Sequence, residues 1–156
     1  MNDTLTILSD MIEVAQKEKY KHNFMLCMNK VLQEQKEISY INFKNLTLHK
    51  GKIKDKVFNN CSFNYCDIEY LSFINCFFVG CSFTGTSLFK SDFTNCDFVN
   101  TDFNFEFIDE LKFKFDNDLL LTEEIKEKIK DLYTKYNLNT KHKLNKQIKT
   151  TYHFKV

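Results

Sequence analysis

The sequence predicts an all-β solenoid core with helical ends, and three observations carry that prediction. Every fifth residue from Phe43 to Phe113 is Phe, Leu or Ile. A period of five fits neither the 3.6-residue turn of a helix nor the alternation of a flat strand, so the chain must turn a corner at regular intervals. Two residues before many of these large residues stands a small one: Cys61, Cys66, Cys76, Cys81, Thr86, Ser91, Cys96 or Thr101. Outside this register, on both sides, the apolar residues return to helical spacing.

At the N-terminus, residues 4–16 place Leu5, Leu8, Met11, Ile12 and Ala15 on one helical face. Residues 22–36, with Phe24, Leu26, Cys27, Met28, Val31 and Leu32, read as a second helix. A solenoid end exposes unpaired backbone, so a helical hairpin over 1–37 is expected to cap the first coil. The repeat itself spans 38–115 and is most regular over 57–105. Between the small and the large residue stands Ser62, Asp67, Ser72, Ser82, Ser87, Asp92, Asp97 or Asp102. Asn or Gly often closes the unit, at Asn60, Asn75, Gly80, Gly85, Asn95 and Asn100, where tolerance of positive φ suits a corner.

This pattern of a small residue, then Asp, Asn or Ser, then Leu or Phe, then two variable residues resembles the pentapeptide-repeat family. Consecutive units from Cys61 to Phe105 fit with few exceptions, and weaker units cover 41–60 and 106–115. The resemblance implies a right-handed quadrilateral β-helix, each pentapeptide forming one side, with just under four coils and a length on the order of 18 Å. Residues twenty apart then stack at about 4.8 Å. Phe43, Phe63, Phe83 and Phe103 should form one aromatic ladder and Phe58, Phe78 and Phe98 another, with Leu48, Ile68, Leu88 and Ile108 as an aliphatic wall. On this register Phe83→Asp should collapse the coil, whereas Asp92→Ala should cost little. Gly51, Lys56 and Glu106 fall on small inward positions, where a charge is costly.

After the repeat, 116–137 reads as a C-terminal helix. Thr122 is its N-cap, Glu123 and Glu124 suit its positive end, and Ile125, Ile129, Leu132, Tyr133 and Tyr136 form its apolar stripe. A basic tail follows over 138–156, and the alternation of Tyr152, Phe154 and Val156 suggests a short strand.

All 22 basic residues are Lys, and the net charge of +1 is unevenly spread. Carboxylates crowd 61–110, where Asp67, Glu69, Asp92, Asp97 and Asp102 face outward as an acidic surface against Lys90 alone. The end of the chain is basic, with Lys135, Lys141, Lys143, Lys146, Lys149 and Lys155, as is 44–56 with Lys44, Lys50, Lys52, Lys54 and Lys56. The N-terminus lacks the pattern of a signal peptide and no apolar run approaches the roughly 18 residues of a membrane span, so a cytoplasmic protein with no membrane partner is expected. The Arg-free, Lys-, Asn-, Ile- and Phe-rich composition suggests an AT-rich genome, bacterial or carried on a mobile element.

In a reducing compartment six Cys read as thiols, and those of the repeat fill core volume at the small inward position rather than a metal site. The stacked pairs Cys61/Cys81 and Cys76/Cys96 approach disulfide distance. His22, His49, His142 and His153 are scattered, with no nucleophile, HExxH or phosphate loop beside them. No catalytic, cofactor-binding or metal residue is expected, and no enzyme.

The outside of the rod is more informative. Ile74, Phe77, Val79 and Val99 point outward on two adjacent sides, and Tyr65, Tyr70 and Phe89 are exposed elsewhere. Clustered apolar surface marks either an interface or the footprint of a terminal helix. A homodimer through this patch or through the C-terminal helix is one expectation. The resemblance implies a protein–protein interaction module and, in its sharper form, a DNA mimic that binds DNA gyrase or another topoisomerase. The alternative is a nucleic-acid-binding protein using the Lys-rich tail and 44–56.

Overall fold

The computed structural model describes residues 3–17, 23–33, 35–116, 122–132 and 134–135. Each five-residue unit becomes one side of a coil, and about four coils stack as a β-solenoid with helices at both ends. The helices at the N-terminal end are α1 (Asp3–Lys17) and α2 (Met25–Val31). The strands are β1 (Glu37–Ser39), β2 (Thr47–Lys54), β3 (Val57–Asn59), β4 (Asp67–Ile74) and β5 (Phe77–Val79). They continue as β6 (Ser87–Phe89), β7 (Asp92–Thr94), β8 (Asp97–Val99), β9 (Phe107–Asp109) and β10 (Lys112–Lys114). A final helix, α3, covers 123–132.

All strand pairs are parallel and offset by twenty residues, as in Ile38 beside Phe58, Phe58 beside Phe78 and Phe78 beside Phe98. That column centres one face, here the Phe58 face. The Phe63 face is held by isolated bridges from Asn42 to Ser62, Ser62 to Ser82 and Ser82 to Asp102. Strands β2 and β4 each turn a corner, so the Ile68 and Phe73 faces join in one sheet. The register begins one side earlier than Phe43, because β1 adds a buried Ile38 beneath Phe58.

The aromatic interior follows the twenty-residue stack. Phe43, Phe63 and Phe83 stack at 4.8 and 4.9 Å, and Phe58, Phe78 and Phe98 at 5.2 and 5.3 Å. A third ladder, Phe73, Phe93 and Phe113, stacks at 5.1 and 5.5 Å. Neighbouring ladders meet edge to face, as Phe73 and Phe78 do at 5.4 Å and 75°. Offset-stacked and edge-to-face pairs each contribute roughly 0.5–1.5 kcal/mol beyond area burial. Leu48, Ile68, Leu88 and Ile108 close the fourth wall, all buried.

The expected ladder breaks at Phe103, which tilts by 55° against Phe83 at 6.0 Å. The cause lies three residues on. Glu106, expected inward, is exposed, and Phe105 is buried in its place, stacked on Phe103 at 5.3 Å. The chain slips here because a carboxylate in an aromatic interior would lose its hydration without a partner.

Corners fall at multiples of five. Positive φ occurs at Asn45, Asn60, Asn75, Asn95 and Asn100 and at Gly80 and Gly85, but also at Tyr40, Lys50, Asp55, Tyr65, Tyr70, Lys90 and Glu110. A left-handed residue with a Cβ costs roughly 1–2 kcal/mol, so the core imposes the corner on these side chains. At Gly85 the space is also taken: a Cβ there would lie 2.4 Å from the Tyr65 ring.

The first coil is capped from below. Phe24 N–H donates to the Thr47 carbonyl at 2.8 Å and Asn23 bridges Thr47, so the strand edge is paired. This pairing shortens the second helix: an expected 22–36 becomes Met25–Val31, because residues 23 and 24 serve the solenoid edge. Met25 packs beneath Gly51, where a Cβ would meet its Cε at 3.0 Å. Lys56 does not bury its charge in the coil. Its Nζ reaches into the cap and donates to the carbonyls of Leu32 and Gln35, each at 2.7 Å. Gln16 of α1 donates to the carbonyl of Lys44 at 2.6 Å.

At the other end, Thr122 caps α3 as expected, its Oγ1 accepting from Ile125 N–H at 3.2 Å. Ile125, Ile129 and Leu132 are buried. Tyr133, Tyr136, the tail over 138–156 and the strand suggested at Tyr152, Phe154 and Val156 lie outside the described residues. No helix among the described residues is long and apolar enough to cross a membrane.

Candidate interaction surface

In each unit two side chains point inward, two point outward and one sits at the corner, so each face carries two outward columns. On the Phe58 face one column reads Glu37, Val57, Phe77, Asp97 and the other Ser39, Asn59, Val79, Val99. Val57, Phe77, Val79 and Val99 are thereby gathered, with Phe77 38 % exposed. Ile74 stands on the adjoining Phe73 face, partly buried. These positions come from β alternation: Phe77 and Val79 flank the buried Phe78, so a core at Phe78 fixes both outward.

Tyr65, Tyr70 and Phe89 sit apart from this patch with lysines over their rings; Tyr65 and Tyr70 are exposed as expected, whereas Phe89 is only partly so. Lys44 Nζ lies 5.6 Å from the Tyr65 ring centre. Tyr70 and Phe89 meet edge to face at 5.6 Å, and Lys90 Nζ lies 5.7 and 5.2 Å from their ring centres. Cation–π contacts of this exposed kind contribute roughly 0.5–1 kcal/mol each.

The acidic residues do not form one stripe. Asp67 and Glu69 lie on the Ile68 face, Asp92 on the Phe73 face, Asp97 on the Phe58 face and Asp102 beside the Phe63 face. Several are already bonded. Asp92 accepts from Ser72 Oγ at 2.7 Å and Thr94 Oγ1 at 2.8 Å, with Lys114 Nζ 3.9 Å away. Asp97 accepts from Phe98 N–H at 2.8 Å, and Asp102 from Thr84 Oγ1 at 3.1 Å.

The basic groups are divided too. Lys52 and Lys54 lie low on the Phe73 face, Lys112 and Lys114 at its top, with Asp92 between. Lys135 is exposed and donates to Asn104 Oδ1. Lys141, Lys143, Lys146, Lys149 and Lys155 fall outside the described residues.

Two features escaped the sequence reading. The small inward residues also act as donors. Cys66 Sγ reaches the Phe43 carbonyl at 3.0 Å, Cys81 Sγ that of Phe58 at 3.2 Å and Cys96 Sγ that of Phe73 at 3.2 Å. Thr86 Oγ1 reaches the carbonyl of Phe63 at 2.7 Å and Thr101 Oγ1 that of Phe78 at 3.2 Å. Each donor satisfies a buried carbonyl twenty-three residues earlier, and the signal was present: from 61 to 101 every one of these positions except Leu71 holds Cys, Ser or Thr, and none holds Ala. The Cys81 sulfur and burial push the Cys61 thiol up, and burial with the Cys76 sulfur pushes Cys96 up. All six cysteines are free thiols, and only Cys27 is exposed.

The second feature is His49. Twenty-residue stacking sets it under Glu69 and sets Thr47 under Asp67. Its Nε2 lies 2.7 Å from Glu69 Oε2 and 3.3 Å from Asp67 Oδ2. A histidine treated as scattered therefore belongs to a cluster, readable by adding twenty to its number.

A five-residue side, a twenty-residue coil and helical plugs define a β-solenoid of repeats whose outer faces are free to vary. A model of the family described as pentapeptide repeats, eight copies, matches residues 71–104 of the chain, the segment that runs from β4 to the end of the regular repeat. None of the curated proteins matches it.

Proposed function

We propose that the chain is a non-enzymatic protein–protein interaction module of the cytoplasm. The solenoid is the scaffold and the Phe58 face docks the partner. The observation that supports this reading is the apolar group Val57, Phe77, Val79 and Val99, rimmed by Glu37, Asn59 and Asp97. An apolar centre within a polar rim is the ordinary anatomy of an interface, and Phe77 is its most exposed aromatic anchor. The acidic rim favours a partner that presents Lys or Arg around an apolar centre. DNA gyrase or another topoisomerase is the partner named by the DNA-mimic form of this reading. Acids divided among four faces supply little of the continuous row that mimicry of phosphates needs, so the apolar face takes precedence.

The test is capture from nuclease-treated bacterial lysate by wild type and by Phe77→Lys, washed at low and then high salt. A partner held at both salts by wild type and lost by Phe77→Lys is the expected result. Identical captures by the two proteins would overturn it. Binding that vanishes at high salt and returns with nucleic acid would favour the Lys-rich segments instead. Light scattering of the two purified proteins reports whether a second copy is the occupant.

A further inference from the structure

We infer that His49, Asp67 and Glu69 form a binding site for a divalent first-row transition cation, with Zn2+ and Mn2+ the best matches, that ties the first coil to the second. The three side chains come from adjacent strands: His49 from β2, Asp67 and Glu69 from β4. Asp67 and Glu69 flank the inward Ile68, so both carboxylates face the same way, toward the ring stacked beneath. One donor atom from each of the three lies within 4.8 Å of the others. A tetrahedral ion with bonds of about 2.1 Å holds its ligand atoms about 3.4 Å apart. The separation of 3.3 Å from His49 Nε2 to Asp67 Oδ2 already meets this, and 2.7 Å to Glu69 Oε2 needs a small opening.

Three observations distinguish this arrangement from a surface ion pair. His49 Nε2 is buried and makes no hydrogen bond among the described residues, although Glu69 Oε2 is 2.7 Å away. The ring nitrogen therefore does not aim at the oxygen beside it. A cation on the axis of that nitrogen, contacted by carboxylate oxygens from its sides, uses all three groups as donors. Thr47 supplies a second buried, unpartnered atom. It stands on the same outward row as His49, directly beneath Asp67, is 6 % exposed, and its Oγ1 makes no hydrogen bond among the described residues. Finally, the ligand is positioned. Asn23 brackets the His49 backbone, donating to its carbonyl at 2.7 Å and accepting its N–H at 3.0 Å.

The donor set selects the ion. One imidazole nitrogen and two carboxylates suit Zn2+ or Mn2+, whereas Ca2+ needs six or more oxygens and Mg2+ retains most of its water. Three protein ligands leave a position for the Thr47 hydroxyl or a water. Because the ligands come from two coils beside the N-terminal cap, the folded chain binds the ion and the unfolded chain does not, so occupancy stabilises the first coil.

The test uses the full, untagged chain, reduced and stripped of metal, titrated with ZnCl2, MnCl2 or MgCl2 alone. One equivalent of Zn2+ or Mn2+ should bind by calorimetry. The melting temperature should rise by about 5–10 °C at a hundredfold excess over Kd, with little response to Mg2+. His49→Ala and the isosteric Glu69→Gln should each weaken binding at least about tenfold, whereas His142→Ala should leave it unchanged. Co2+ should give a spectrum without thiolate charge-transfer bands. The inference is overturned by the absence of binding at millimolar metal, by equal affinity in Glu69→Gln, or by thiolate bands that place the ion on cysteine. Circular dichroism separates loss of ligands from loss of fold. Partner capture through Phe77 is a separate readout that this result leaves untouched.

Discussion

Phe78 and Phe77 are neighbours in one strand and should behave in opposite ways. Phe78 is fully buried, stacked on Phe58 at 5.2 Å and Phe98 at 5.3 Å, with the edges of Phe73 and Phe83 against it at 5.4 and 5.5 Å. Phe78→Ala removes roughly 100 Å3 from a close-packed interior. At about 24 cal/mol per Å3 the cavity alone costs about 2.4 kcal/mol, and the lost transfer energy brings the total to about 4–5 kcal/mol. A domain with a stability of roughly 5–15 kcal/mol loses a large share of it, and the melting temperature should fall by about 10–15 °C. Phe77→Ala removes a ring already 38 % exposed and should cost under about 1 kcal/mol. Urea titrations followed by circular dichroism, run on both variants and wild type, give the comparison directly. If Phe78→Ala cost less than about 1.5 kcal/mol, or Phe77→Ala cost as much as Phe78→Ala, the assignment of inside and outside would be wrong.

Three further outcomes follow from the same register. Thr86→Val keeps the shape of a fully buried side chain but removes the donor to the Phe63 carbonyl, so it should cost about 1–3 kcal/mol in a urea melt, and Thr86→Ser should recover much of it. In a native thiol-labelling assay only Cys27 should react promptly, and all six cysteines should react after denaturation, because the other five are buried out of reach of the reagent. Prompt labelling of two or more would contradict the closed interior. Asp92→Ala should cost about 1–2 kcal/mol by thermal melt rather than the small loss expected of an outward carboxylate, since it strands the Ser72 and Thr94 hydroxyls; a loss within 0.5 kcal/mol would show those bonds to be worth nothing net.

The interior was legible in the sequence because one inward rule is repeated. Phe58, Phe78 and Phe98 occupy equivalent places, so any one of them tests the register of the others, and the stacked ladders follow from spacing alone. Legibility failed where a local conflict is resolved by an element outside the repeat. Lys56 breaks the inward rule, and only the carbonyls of Leu32 and Gln35 in the cap explain how its charge is held. Glu106 breaks it again, and the answer is a slipped phase that buries Phe105. The shortened α2 has the same origin, since helical spacing in 22–36 cannot reveal that Asn23 and Phe24 are needed to pair the open edge at Thr47. On the outside, alternation correctly predicts that Phe77 and Val79 point outward. Whether outward residues act together depends on the twenty-residue column, and His49 shows what is lost when residues are weighed singly.

That column explains how a repeat so constrained inside can carry a specific function outside. Only the inward side chains answer to packing, so the outward positions vary without disturbing the ladders. An outward side chain at position n has neighbours at n − 20 and n + 20 and one more two residues away on its own side, at strand spacings of about 4.8 Å across and about 6.6 Å along. A site on such a surface is therefore assembled from residues that look unrelated in sequence. The apolar group uses two columns of one face, Val57 with Phe77 and Val79 with Val99. The His49 cluster uses two columns of another, Thr47 with Asp67 and His49 with Glu69. These lie on different sides of the coil, so substitutions in one should leave the other intact. Phe77→Lys should abolish partner capture without changing metal affinity, and Glu69→Gln should do the reverse. Coupled loss in both variants would mean that the faces communicate through the core, which the unbroken stacking of Phe58, Phe78 and Phe98 behind the docking face gives no reason to expect.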